Sequence, residues 1–118
     1  MAAKDAVGRY GEDLVVRRLA ERGWVVLARN WRCREGEIDI VATEGDALVV
    51  VEVKTRRGAS MGAPQEAVTV RKLARLRRLA AAWLAAQDRR WPEVRIDVVA
   101  VTLPRAGAAR LEHLRAVG

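Results

Sequence analysis

Residues 37–55 read Glu37-Ile38-Asp39-Ile40-Val41-Ala42-Thr43-Glu44-Gly45-Asp46-Ala47-Leu48-Val49-Val50-Val51-Glu52-Val53-Lys54-Thr55, two strands joined at Gly45-Asp46. A two-residue hairpin loop fixes the register, so Glu44 faces Ala47, Val41 faces Val50, Asp39 faces Glu52 and Glu37 faces Lys54. On one face Ile38 then meets Val53, Ile40 meets Val51 and Ala42 meets Val49. That apolar set supports the register independently, because a slip of one residue would throw the charges into it. On the other face two carboxylates stand opposite one another, which destabilises a sheet unless a cation is near. Lys54 follows Glu52 by two residues and so lies on the same face, one pleat away. Asp39, Glu52 and Lys54 therefore converge.

Outward from this hairpin, the continuous Leu48-Val-Val-Val51 centre marks residues 47–55 as a strand covered on both faces. Residues 24–31 read as a preceding strand. Residues 5–22 read as a helix, since Val7, Tyr10, Gly11, Leu14, Val15 and Leu19 share one side at ~100° per residue. A second helix over 69–87 places Leu73, Leu76, Leu79, Ala80, Trp83 and Leu84 on one side and Arg71, Arg75 and Arg78 on the other. Residues 94–103 form another strand, which a helical crossover sets parallel to the third. The loop-like break in composition before the C-terminal region spans 56–64, and residues 110–116 fit an edge strand or a turn of helix equally well. The order is α-β-β-β-α-β, an α/β (mixed α+β) fold with a mixed sheet flanked by helices. It forms one domain over 1–118, with 1–4 and 116–118 expected as loose ends.

The chemistry follows from the acids. Glu12 borders the packing face of the first helix beside Val15, Val16 and Leu19, with Gly8 and Gly11 leaving room, and a carboxylate there is costly without a partner. Oxygen ligands from Asp39, Glu52 and Glu12, with the main-chain carbonyl of Val53, suit Mg²⁺ or Mn²⁺. Such an ion polarises a phosphate and lowers the pKa of a bound water, while Lys54 orients that water and offsets developing charge. This set serves phosphodiester hydrolysis. The competing reading is a surface charge ladder in which Lys54 neutralises Glu37 and Glu52.

Composition agrees with an anionic partner. The 118 residues carry 22 Lys and Arg against 15 Asp and Glu, a net charge of +7, and the pI is near 10.9, which point to nucleic acid. Of the basic residues all but Lys4, Lys54 and Lys72 are Arg, an imbalance that a GC-rich genome also produces. Arg56, Arg57, Arg71, Arg75 and Arg78 are candidate phosphate contacts or solvated surface. Lys72, on the apolar side of the helix's first turn, joins them as a nucleic-acid contact, reaches the site, or snorkels. Asp97 reads as a structural partner of Arg95 or Arg56. A single Cys33 and a single His113 exclude a disulfide framework and a Cys/His zinc cluster. With one Tyr and no Phe, a stacking platform for single strands is excluded, and Trp24, Trp31, Trp83 and Trp91 are assigned to core or interface. The N-terminal residues lack an apolar export segment, and the apolar stretch 79–86 is far short of the ~20 residues of a membrane span. A cytoplasmic protein without membrane association is expected, and the lone Cys agrees with a reducing compartment.

Gly36-Glu37-Ile38-Asp39 followed by Glu52-Val53-Lys54 resembles the active-site pattern of the restriction-endonuclease-like PD-(D/E)xK superfamily, whose core has a similar element order. Together with Gly8-Arg9-Tyr10-Gly11-Glu12, Asn30-Trp31-Arg32, Val51 to Arg56, Gly62-Ala63-Pro64, Lys72 and Ile96-Asp97-Val98-Val99, it resembles the YraN family of small bacterial proteins over nearly the whole chain. The resemblance implies an endonuclease related to Holliday-junction resolvases, with Asp39 and Glu52 as metal ligands, Lys54 as catalytic lysine and Glu12 as the helix carboxylate. Ile38 stands where the superfamily motif has proline, a departure that the wider superfamily tolerates. The leading expectation is a Mg²⁺- or Mn²⁺-dependent nuclease acting on structured or branched DNA, rather than RNA, as a homodimer, since two symmetric cuts need two sites. A nucleic-acid-binding module without catalysis and an adaptor in a DNA-processing complex are the alternatives.

Overall fold

A computed structural model describes residues 5–58 and 68–118. The elements are α1 (Ala6–Glu21), β1 (Val25–Cys33), β2 (Gly36–Glu44), β3 (Ala47–Arg57), α2 (Val70–Ala85), β4 (Glu93–Leu103) and β5 (Arg110–Leu114). Both helices begin on a side-chain cap that satisfies an otherwise orphaned N–H: Asp5 accepts from Gly8 N at 2.7 Å and Thr69 from Lys72 N at 3.0 Å. The five strands lie in sequence order in one sheet. All neighbours are antiparallel except β3 and β4, whose parallel pairing needs the crossover that carries α2.

Alternation along β3 divides the core. Val49 and Val51 pack with Ile40, Val15 and Leu19 beneath α1, while Leu48 and Val50 pack with Val41, Leu76 and Leu79 beneath α2. The sheet is thus covered on both faces, which is why the centre of β3 tolerates no polar residue. Leu19, Leu76 and Leu79 are each 1% exposed, and burying such a side chain contributes about 1.5–3 kcal/mol. α1 comes down onto β3 at Gly11, where a Cβ would stand 1.9 Å from Thr55 Oγ1.

The hairpin register agrees with the sequence reading from Glu44↔Ala47 through Val41↔Val50 to Ile40↔Val51. Gly45, with φ +58°, occupies the first of the two turn positions, where a type II′ hairpin places glycine. Beyond Ile40 and Val51 the expected pairs do not form. Ile38 packs beneath α2 with Val41 and Val50 instead of opposite Val53 beneath α1. The reason lies in β1, where the pairs Arg29↔Ile40 and Trp31↔Ile38 enclose Asn30 and Asp39. Asn30 adopts φ +51°, and between these pairs the strands exchange faces. Asp39 is turned toward β3, where its Oδ2 accepts the Val53 N–H at 2.9 Å. Glu37 correspondingly pairs with Arg32 Nε at 3.0 Å rather than with Lys54.

Three other expectations change. Residues 110–116 resolve into an edge strand over Arg110–Leu114, paired from Thr102↔Arg110 to Val98↔Leu114. Residues 116–118 are not loose: Ala116 N donates to Asp97 Oδ1 at 2.9 Å, Val117 N donates to Ile96 O at 2.8 Å, and Val117 packs on the α2 side of the core. Arg56 and Arg57 belong to β3, not to a loop, because they pair with Thr102 and Leu103. The rest of the expected loop from 59, including Gly62-Ala63-Pro64, and residues 1–4 lie outside the described residues. Among the described residues no helix is long and apolar enough to cross a membrane.

Candidate active site

Where β2 and β3 part, they leave an open cleft of about 270 Å³ lined by Asp39, Glu52, Val53, Lys54 and Thr55, by Lys72 of α2, and by Asp5, Val7 and Gly8 at the start of α1. Each acid is held by the fold. Asp39 is 8% exposed and is anchored by the Val53 N–H. Glu52 lies in β3, directly after the buried valine run, and its side chain is 13% exposed. Lys54 is exposed on the same cleft. Asp39, Glu52, Val53 and Lys54 thus line one cleft, by a fork in the sheet and not by the regular cross-strand pairing expected.

Lys72, left open between surface and site, reaches inward: its Nζ lies 3.1 Å from Glu52 Oε2. Even so, Glu52 is pushed up to about 7, first by burial and then by the negative charge of Asp39, against the lowering pull of Lys72. One lysine does not fully offset the loss of water around two adjacent carboxylates. That deficit of positive charge, on hard oxygen donors in an open cleft, is what a divalent cation matches.

Glu12 does not line the cleft. It is 1% exposed and its Oε1 accepts from Arg29 Nη2 at 3.1 Å and from Asn30 Nδ2 at 2.9 Å. The partner that a carboxylate bordering a packing face requires is therefore supplied by β1. Among the described residues no three Asp, Glu, His or Cys side chains gather closely enough to hold one ion, so Glu12 does not join Asp39 and Glu52 as expected. Glu12 instead braces Asn30, the residue across from Asp39 at which the strands change face. Spacing alone gave no sign of Asn30 and Arg29 in this role, although Asn30 opens one of the motifs noted above.

The remaining candidates spread over the surface. Arg71 and Arg75 are exposed on α2 and Arg57 at the end of β3, while Arg56 is half-buried. Arg78 is exposed and stands 3.5 Å from Glu35. Asp97 is structural. Fully buried, it accepts from Arg95 at 3.0 and 3.1 Å and from Ala116 N at 2.9 Å, and stands 2.8 Å from His113 Nε2. Burial pushes its pKa up, but the bonds from His113, Arg95 and the Ala116 N–H outweigh that and hold it below the usual range. Arg95 and Arg115 both continue to Glu44, at 2.8 and 2.6 Å. Trp24 and Trp83 are buried, and Trp31 and Trp91 pack partly buried on the α2 side, so all four serve packing. Cys33 is half-buried at the end of β1.

Residues 11–101 match the model of a family described as "Uncharacterised protein family UPF0102". A UPF0102 protein of Beutenbergia cavernae is 62% identical over 118 residues, covering 100% of both chains. One from Kineococcus radiotolerans is 62% identical over 116 residues, 98% of this chain and 95% of that one. One from Arthrobacter sp. is 56% identical over 118 residues, again 100% of both.

Proposed function

The chain belongs to the UPF0102 family, the YraN group of restriction-endonuclease-like proteins, and from its cleft we propose that it is a metal-dependent endonuclease that hydrolyses phosphodiester bonds. The observation that carries this reading is the Asp39 and Glu52 pair at the sheet fork, with Lys54 on the same cleft and Glu52 pushed up to about 7. Asp39 and Glu52, with the carbonyl of Val53, are the groups to hold Mg²⁺ or Mn²⁺. Magnesium is commonly bound by one or two carboxylates and several waters, so Glu12 is not needed as a ligand. Such an ion, when bound there, would supply Lewis-acid chemistry and lower the pKa of a water. Lys54, exposed on the cleft, would orient the attacking water and offset the charge that develops on the phosphate oxygens. Arg57, Arg71 and Arg75 grip flanking phosphates. Structured or branched DNA, cut in the cytoplasm by a homodimer, is the substrate this reading favours, on the resemblance to junction resolvases.

The Lys72–Glu52 ion pair favours the alternative of a binding module whose acids are neutralised by its own lysine. Purified protein incubated with junction, flap and linear DNA in Mg²⁺ or Mn²⁺ separates the two. Metal-dependent cleavage is expected, with loss in chelator and a fall of ~10²-fold or more in Asp39→Ala and Glu52→Ala. Cutting by neither metal form, or unchanged cutting by both variants, overturns the nuclease reading in favour of the binding module.

A further inference from the structure

Lys72 is the third residue of α2, and its backbone is fixed because its N–H is donated to the Thr69 cap at 3.0 Å. From this anchored base the side chain, 25% exposed, runs into the cleft and ends 3.1 Å from Glu52 Oε2, itself on a 13% exposed side chain. Two acids in a partly desolvated cleft need positive charge beside them. The ammonium supplies part of it at Glu52 Oε2, an oxygen of the carboxylate that a metal ion would also draw on. A lysine is also a point charge on a flexible stem, able to leave one anion for another without its helix moving.

We infer that Lys72 is the exchangeable counter-ion of this site: it pairs with Glu52 in the absence of metal, and a divalent cation that takes Glu52 releases it to a phosphate oxygen of nucleic acid in the same cleft. This rests on the reading of Asp39 and Glu52 as metal ligands. It makes Lys72 a positioning residue for phosphate and gives it a second effect, since the ion that frees it also creates a cationic contact. Metal and nucleic acid then bind cooperatively, each raising the affinity of the other by the same factor.

The test is titration of the full chain with Mn²⁺, without nucleic acid, by calorimetry and by the electron paramagnetic resonance of free Mn²⁺. Lys72→Met is expected to bind Mn²⁺ on the order of tenfold tighter than wild type, whereas Lys72→Arg, which keeps the charge, stays near wild type. DNA affinity by fluorescence anisotropy on ice is expected to gain less from Mn²⁺ in Lys72→Met than in wild type. Equal or weaker Mn²⁺ binding by Lys72→Met, with wild type binding normally, overturns this inference alone. Absence of Mn²⁺ binding in both overturns the metal-site reading and the inference with it. Circular dichroism melts check that the variants are folded, and Lys72→Gln replaces Lys72→Met in the same comparison if the latter melts early.

Discussion

Glu52 and Asp97 are buried or nearly buried acids on adjacent strands, and their surroundings give them opposite titrations. Asp97 has Arg95, His113 and a backbone N–H around it, so its pKa lies below the ordinary 3.8. Its contribution to stability is present above that value and is lost only as pH falls through the lowered one. Glu52 has Lys72 on one side and Asp39 on the other, and its pKa rises from the ordinary 4.5 to about 7. The native state then binds this proton more tightly than the unfolded chain, so the stability it contributes is complete below 4.5 and disappears as pH rises through about 7. Metal-free protein is accordingly expected to lose up to about 3 kcal/mol between about pH 5 and about pH 8 from this group. Urea denaturation across that range checks it, and Glu52→Gln should flatten the dependence. A Glu52→Gln protein that keeps the full slope would assign it elsewhere. The neighbourhood of Asp39, Glu52 and Lys54 was legible in the sequence because each lies a fixed count from the turn on its arm of the hairpin, but the expected pairing of Asp39 with Glu52 was not, because the register ends at Ile40↔Val51 and the strands part there. Glu12 was legible as a carboxylate in need of a partner, but the partner was not, because the left-handed backbone of Asn30 leaves no periodic trace.

Among the elements, the hairpin followed from strand alternation and the crossover from the helix between β3 and β4, whereas the exchange of faces at Asp39 followed from neither. Ile38, Ile40 and Ala42 are all apolar, and with helices on both faces of the sheet an apolar side chain is satisfied on either side. The pattern therefore carries no penalty that would betray the switch. β5 was undecided for a related reason: Leu111 and Leu114 suit a short helix turn as well as a strand, and only pairing with β4 chooses. The approach of α1 to β3 is a different kind of constraint. A Cβ on Gly11 would meet Thr55 Oγ1 at 1.9 Å and Thr55 Cβ and Cγ2 at 2.9 Å. Gly11→Ala is expected to cost about 1–3 kcal/mol in urea denaturation through overpacking, despite the ~1 kcal/mol that alanine gains in a helix interior. Thr55→Ala in that background should recover part of the loss; no recovery would place the strain elsewhere.

Over the whole molecule, a net charge of +7 surrounds a cleft that holds Asp39 and Glu52, and on the proposed function the first would serve recognition and the second chemistry. Arg71 and Arg75 lie one turn apart on the exposed side of α2, whose first turn also sends Lys72 into the cleft. If both touch phosphates, log affinity for duplex DNA against log salt should become shallower by about 1.8 in the Arg71→Ala, Arg75→Ala double variant, about 0.9 for each contact. An unchanged slope in anisotropy titrations would return these arginines to the solvated surface. Net charge was plain in the sequence; that Lys72, and not its neighbour Arg71, enters the cleft depended on how α2 lies on the sheet.

The Gly45-Asp46 turn lies at the far end of the ladder from the fork, five residue pairs from Glu44↔Ala47 to Ile40↔Val51, or roughly 14 Å at 3.4 Å per step. Remote as it is, it is the gauge that sets the gap between two jaws. Lengthening one arm of the hairpin by a residue advances Asp39 past Glu52 by one step and rotates it to the other side, so the cleft's dimensions are stored as a count of residues in the turn. An insertion in one arm at this turn is therefore expected to disturb the cleft, although the turn itself touches no part of it.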